Sequence, residues 1–133
     1  MRLIHLLLTV TFVSAATIAA ANPVRQAILQ VYAKEAGVTR FSAESGKSFF
    51  EIAHVGGKPD TPACTTCHGT DPRQTGRTRA GKTIDPMAVS ANPTRFTDPA
   101  KVEKWFTRNC DTVLGRSCTA DEKGNVIAYL SSL

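Results

Sequence analysis

The segment Cys64-Thr65-Thr66-Cys67-His68 has the pattern C-x-x-C-H, which is typical of the covalent attachment site of a c-type haem. Two thiols three positions apart can each form a thioether with one edge of the porphyrin, and the following imidazole then lies beneath the iron. A thioredoxin-like dithiol is typical of a βαβ pattern, and half of a zinc site needs a matching Cys/His pair downstream. The sequence has neither feature, so we expect one haem c on Cys64 and Cys67, with His68 as its proximal ligand.

Residues 1–21 have the composition of a secretion signal peptide. Arg2 supplies the positive start, residues 3–13 are almost wholly apolar, and small residues end at Ala21. We expect cleavage after Ala21 and export to the periplasm, a compartment that also permits disulfides. An uncleaved anchor is the alternative, although the apolar run is short for a membrane span.

Residues 22–133 are expected to form one small cytochrome c domain, whose modest protein core a porphyrin would enlarge. Without Arg2 its formal charge is +4, from 15 basic and 11 acidic residues. This mild basic excess is not evidence for a nucleic-acid partner, and we expect no stable membrane insertion after cleavage.

The basic residues of one Gly-containing stretch form either a solvated loop or a surface that pairs haem propionates and docks an acidic redox partner. They are Arg73, Arg77, Arg79 and Lys82, of which Arg79 and Lys82 are the candidate propionate partners.

Apolar residues recur at helical spacing and no segment alternates like a strand, which predicts an all-α fold. Within an extra N-terminal helical segment over 22–40, a helix starts at Asn22-Pro23 and ends at Gly37. We expect Val24, Ile28 and Val31 to share its buried face.

Three more helices and one long loop follow along the chain. A second helix starts at Ser42 and carries Gly46, Phe49, Phe50 and Ala53 before the Gly56-Gly57 break. Residues 69–97 show little periodicity and are expected to form a long loop around the haem edge. Asp98 and Pro99 then open a helix that runs to Cys110. A capping box at 119–122 opens the last helix, with Val126, Ile127 and Leu130 on one side.

The residues alone do not identify the iron ligand on the side opposite His68. His54 and the lysines are candidates, although a lone His is more often a surface or core residue. Met87 would make an ordinary His/Met electron-transfer cytochrome, but it lies in the loop expected to follow the proximal side. On the helix that starts at Asp98, an apolar face of Val102, Trp105 and Phe106 ends in the carboxamide of Asn109. An unmet buried amide costs about 1–3 kcal/mol, so Asn109 either binds iron or caps backbone groups at the helix end.

Several segments together resemble the SHP family, the "sphaeroides haem protein" type of oxygen-binding cytochrome c. The resemblance spans about residues 40–133, and its most specific block is Arg-Asn-Cys followed by Gly-Arg-x-Cys-Thr. The segments that carry it are Lys58–Gly69, Thr78–Ile84, Arg95–Asp98, Val102–Trp105, Arg108–Cys110 and Gly115–Thr119.

This resemblance implies a class I cytochrome c fold in which Gly46, Phe50 and Tyr129 form a close helix crossing. It implies a Cys110–Cys118 disulfide and a Pro86 carbonyl that orients His68.

The resemblance also implies that Asn109 is a weak distal ligand that leaves on reduction, above a pocket of Val102, Trp105 and Phe106. An amide oxygen is a hard, weak ligand, which ferric iron tolerates better than ferrous iron. We therefore interpret the chain as an electron-transfer haemoprotein, rather than an enzyme, that binds O₂, NO or CO when reduced. The implied redox partner is a small dihaem cytochrome c. The alternatives are a plain His68/Met87 electron shuttle and, as a third class, a haem-based gas carrier or sensor.

Overall fold

A computed structural model describes residues 21–133. The predicted signal peptide falls almost entirely on residues 1–20, which lie outside the described part of the chain. Within 21–133 no helix combines the length and the apolar character needed to cross a membrane. The helices and strands are α1 Pro23–Ala36, α2 Ala43–Glu51, α3 Thr65–His68, β1 Gly76–Arg77, β2 Thr83–Ile84, α4 Pro99–Leu114 and α5 Ala120–Ser132.

The predicted helix starts are confirmed by their caps. The Asn22 side chain accepts hydrogen bonds from the backbone N–H groups of Val24 and Arg25. Ser42 and Asp98 cap α2 and α4 in the same way. At α5, Thr119 and Glu122 form the expected reciprocal capping box. These short polar side chains satisfy backbone donors that the first helical turn leaves free.

Two helix ends and one short sheet differ from the predictions. α2 ends at Glu51, before Ala53, because Ile52 is already extended. α4 continues past Cys110 to Leu114 and ends at Gly115, whose φ of 67° suits glycine. The stretch 69–97 is not wholly irregular, since β1 and β2 pair antiparallel with Gly76 opposite Ile84. Strands of two residues are too short to show alternation in the sequence.

The predicted buried face of α1 is wrong at two of its three positions. Ile28 is buried, but Val24 is 38% and Val31 63% exposed. The helix instead buries Arg25 and Tyr32 beside Ile28. Tyr32 donates a hydrogen bond to the Glu103 carboxylate, and Arg25 donates to backbone carbonyls. Polar groups that keep their hydrogen bonds can enter a core at little cost, so hydropathy alone misplaced this face.

The close crossing of α2 over α5 is confirmed. A Cβ placed on Gly46 would lie 1.9 Å from the Asn125 carbonyl oxygen and 2.9 Å from Tyr129 Cβ. The rings of Phe50 and Tyr129 pack beside this point, with centroids 5.9 Å apart. The Asn125 side chain also accepts a hydrogen bond from the Ser42 backbone N–H at 2.7 Å. The crossing fixes α2, and α2 carries Phe50 to the candidate site.

Candidate haem site

The attachment motif forms a single helical turn, as its spacing predicts. The His68 N–H donates to the Cys64 carbonyl oxygen at 3.0 Å, which closes the turn. Cys64 and Cys67 are free, half-buried cysteines. Burial raises the pKa of the Cys64 thiol to about 11, so this sulfur is protonated at neutral pH. The turn therefore presents two thiols and an imidazole in the order that haem c attachment requires.

His68 has the properties of a haem ligand. Its Nδ1 atom is buried and has no hydrogen-bond partner among the described residues. Its ring lies 5.9 Å from the Phe50 ring. Burial, and then the nearby Arg95 cation, lower the pKa of the imidazole to about 4. The neutral imidazole is the form that binds metals. In residues 21–133, no three His, Cys, Asp or Glu side chains gather as a metal-ion site. Two thiols followed directly by a neutral imidazole are the donor set that haem c uses.

The hydrogen bond expected between His68 and the Pro86 carbonyl is not formed. The Pro86 oxygen instead accepts from Arg95 Nε at 2.8 Å. The second guanidinium donor of Arg95 reaches the Asp85 carbonyl at 2.5 Å. The carbonyl that was expected to orient the imidazole therefore accepts from a positively charged donor in this structure.

Two of the distal-ligand candidates are engaged in packing or hydrogen bonds. His54 Nε2 donates to the Phe49 carbonyl at 2.8 Å, and its ring packs on the Phe49 ring at 4.7 Å. Met87 follows the Pro86 carbonyl held by Arg95, and its side chain packs against the cluster that contains Phe50. The Arg95 cation acts on the His68 imidazole, so this loop lies near that ring. That the loop follows the proximal side of the haem stays a prediction.

The predicted distal residues all lie on α4 but differ in burial. Val102 is buried, and Phe106 is half-buried and packs against all three core clusters. Asn109 is exposed, and Trp105 is 52% exposed between Lys104 and Arg108. The premise that protein atoms bury the Asn109 amide is therefore wrong. Its role as a ligand stays a prediction.

The Cys110–Cys118 disulfide is present, with Cα atoms 5.6 Å apart. Both cysteines are buried in a cluster with Val113 and Leu114. Because α4 runs on to Leu114, Cys110 lies within the helix rather than at its end. The bridge therefore fastens the final turns of α4, including the neighbouring Asn109, to the segment that leads into α5.

We expect the double substitution Cys110→Ala and Cys118→Ala to lower the free energy of unfolding by about 2–3 kcal/mol, the chain-entropy value for so short a loop. The same variant should change the ferric spectrum, because the Asn109 backbone loses its anchor. Thermal denaturation and optical spectra of the ferric holoprotein measure the two effects.

Val113→Ala is the matched control, since it removes core volume from the same cluster and keeps the bridge. It should lower stability and leave the spectrum unchanged. Identical spectra for the wild type and the double variant would reduce the disulfide to a purely structural link.

The predicted basic cluster lies in and around the β1–β2 hairpin and is exposed. Arg73 pairs with Asp71 at 3.7 Å and Arg79 with Asp60 at 3.2 Å, so their charges are partly neutralised. A Cβ on Gly76 would lie 2.3 Å from the Cys67 carbonyl oxygen, which places the hairpin directly against α3. The structure thus brings the cluster next to the attachment turn. Propionate pairing by Arg79 and Lys82 stays a prediction.

Sequence reasoning missed two arginines close to the site. Arg25 on α1 is only 7% exposed, and Arg95 is half-buried beside His68. Arginine is mostly a surface residue, so its identity gave no signal of burial. The left-handed backbone of the next residue, Phe96, with φ of 59°, likewise depends on tertiary packing.

Comparison with known proteins identifies a family model and two relatives that match this chain. A family model described as a domain of unknown function, DUF1924, matches residues 36–130. The chain is 56% identical over 90 residues to the cytochrome c-type protein SHP of Cereibacter sphaeroides, an alignment covering 68% of this chain and 70% of that protein. It is 41% identical over 90 residues to cytochrome c'' of Methylophilus methylotrophus, covering 67% of this chain and 62% of that protein.

Solved structures of the same two relatives also match this chain. The structure of oxidised SHP, described as an oxygen-binding cytochrome c, matches with a TM-score of 0.79 at 49% identity, covering 82% of this chain and 96% of that one. The crystal structure of oxidised cytochrome c'' from M. methylotrophus matches with a TM-score of 0.69 at 35% identity, covering 80% and 92%. The predicted class I cytochrome c fold and the single covalent haem c are confirmed. The chain belongs to the SHP and cytochrome c'' family of monohaem c-type cytochromes.

Proposed function

We propose that this cytochrome transfers electrons in the periplasm and that Asn109 is a weak distal ligand, displaced when O₂, NO or CO binds. Bound haem c supplies the one-electron redox couple and the iron site. Cys64 and Cys67 would hold it covalently, and His68 would be its permanent ligand.

The position of Asn109 carries this proposal. It lies on α4 on the same side as Val102 and Phe106, and its carboxamide is exposed. A free amide oxygen is a weak donor that ferric iron tolerates and ferrous iron holds poorly. The adjacent Cys110 is fixed by the disulfide, so the Asn109 backbone stays in place while its side chain moves.

The descriptions of two relatives favour ligand exchange at the haem iron. SHP is described as an oxygen-binding cytochrome c, and the solution structure of M. methylotrophus cytochrome c'' is described in terms of haem-ligand detachment. Met87 is a poorer candidate for the displaced ligand, since Arg95 holds the preceding Pro86 carbonyl and the Met87 side chain packs against the cluster that contains Phe50. Export rests on the signal peptide predicted over residues 1–21.

An acidic redox protein, by family resemblance a small dihaem cytochrome c, is the proposed electron donor. The β1–β2 hairpin lies against the attachment turn and presents the exposed side chains of Arg77 and Lys82. Complementary charge steers redox proteins together and raises the association rate. The pairs Arg73–Asp71 and Arg79–Asp60 limit the net charge, so a weak, transient complex is expected.

Asn109→Ala tests the distal role. If the amide occupies the ferric site, its removal should change the ferric spectrum and speed the binding of NO or imidazole to oxidised protein by about tenfold, equivalent to about 1.4 kcal/mol. CO binding to reduced protein should change much less, because the amide has already left. Stopped-flow mixing in both oxidation states measures this difference.

Met87→Leu is the matched control, a volume-conserving change that costs less than about 1.5 kcal/mol. It should leave the ferric spectrum and the binding rates unchanged. Conversion of a low-spin ferric protein to high spin by Met87→Leu would contradict the proposal and establish the His68/Met87 electron shuttle instead.

A further inference from the structure

Arg95 makes two hydrogen bonds that fix the loop on the His68 side. Its Nε donates to the Pro86 carbonyl at 2.8 Å, and a terminal nitrogen donates to the Asp85 carbonyl at 2.5 Å. Both acceptors are backbone oxygens, so the guanidinium keeps its full charge. The next side chain, Met87, packs in the cluster that contains Phe50.

The backbone of Arg95 is itself held by hydrogen bonds from the N-terminal helix α1. Arg25 on α1 donates to the Arg95 carbonyl with Nε at 3.2 Å and a terminal nitrogen at 2.8 Å, and it donates to the Pro93 carbonyl at 3.0 Å. Phe96, which follows Arg95, adopts φ of 59°, a costly conformation for a bulky residue. Arg25 and the packing of Phe96 against two core clusters hold this segment in place.

Neither arginine is neutralised in the usual way. Within the described residues, neither forms an ion pair with a carboxylate. The Asp85 carboxylate raises the pKa of Arg95, but desolvation lowers it by more. A partly buried cation without a close counter-ion acts strongly on neighbouring groups, because the low local dielectric screens it little.

The affected neighbour is His68. Its ring lies 5.9 Å from the Phe50 ring, and Met87, in the loop held by Arg95, packs in the cluster that contains Phe50. A cation close to the ligand of the haem iron disfavours the higher iron charge.

We propose that Arg95, fixed by Arg25, is a positioning residue that holds the 85–87 loop against His68 and raises the reduction potential of the haem. The N-terminal helix thereby acts on the redox centre through two arginines. This inference rests on haem c attached at Cys64 and Cys67, and it is independent of the distal role of Asn109.

Arg95→Gln tests the proposal in the holoprotein by spectroelectrochemical titration. We expect the ferrous-to-ferric ratio at a fixed ambient potential to fall about tenfold, equivalent to a potential about 59 mV lower for one electron. Arg95→Lys keeps the charge and should retain the ratio within about threefold. Arg40→Gln, the same charge change at an exposed position between α1 and α2, should alter it less than twofold.

Equal potentials for Arg95→Gln and Arg40→Gln would overturn the proposal, as would an equal fall in Arg95→Lys and Arg95→Gln. If Arg95→Gln does not fold, Asp85→Asn provides a second test, because Asp85 is exposed and partly offsets the Arg95 charge. It should raise the ferrous-to-ferric ratio about threefold, with Glu44→Gln as an exposed acidic control. No change, or a fall, in Asp85→Asn would overturn the proposal.

Arg25→Gln tests the second arginine. Loss of its hydrogen bonds should increase hydrogen exchange at the Arg95 side chain and lower the ferrous-to-ferric ratio in the same direction as Arg95→Gln, but less. An unchanged exchange rate at Arg95 Nε would overturn the link to α1. NMR of ¹⁵N-arginine-labelled holoprotein gives this readout separately from the redox titration.

Discussion

Replacement of both Cys64 and Cys67 by alanine is expected to abolish covalent haem attachment and to leave a chain that does not fold stably. The protein core is small, and within residues 21–133 the largest fully buried side chains are Ile127 and Leu130. A group that binds the folded state alone stabilises it by mass action, and covalent attachment makes that contribution permanent. A single folded domain of this size is only marginally stable. Haem staining after denaturing electrophoresis and far-UV circular dichroism measure the two effects.

Thr65→Ala is the matched control, because it changes the same helical turn without removing a sulfur. It should retain the covalent haem and the helical spectrum. A haem-free double variant with a cooperative thermal transition like that of the wild type would contradict the prediction that haem completes the core.

Gly46→Ala is expected to lower the free energy of unfolding by about 3 kcal/mol or more. An alanine in a helix interior is normally favoured over glycine by about 1 kcal/mol, so propensity alone predicts the opposite sign. Here the added methyl would lie 1.9 Å from the Asn125 carbonyl oxygen, and α2 or α5 must shift to admit it. Chemical denaturation of the ferric holoprotein measures the change.

Ser45→Ala, at the neighbouring exposed position of α2, is the control. It should be neutral or slightly stabilising. Equal stability of the Gly46→Ala and Ser45→Ala variants would show that the two helices are not in close contact at the crossing.

Much of the fold could be predicted because local chemistry specifies it. Asn22, Ser42, Asp98 and the Thr119 capping box set the helix starts, since each side chain satisfies backbone donors within three residues of itself. Helix ends were less predictable. α2 stops when Ile52 becomes extended, and α4 continues until Gly115 allows a positive φ.

Some parts of the site could likewise be predicted from the sequence, and others could not. The sequence by itself determined the haem attachment turn, because the two thiols and the imidazole must lie within five consecutive residues to reach one porphyrin. The Cys110–Cys118 bridge and the Gly46 crossing followed from family resemblance, and the structure confirmed both.

Only the tertiary structure decided what surrounds His68 and α4. Burial of Arg25 and Arg95 depends on carbonyl acceptors about 70 and 10 residues away in the chain, respectively, so no local pattern could reveal it. The Pro86 carbonyl accepts from Arg95, and Val31 on α1 faces outward, and neither fact could be derived from the local sequence. A hydrogen-bonded polar group and an apolar one can both occupy a core, and which of them does so depends on partners that folding alone brings together.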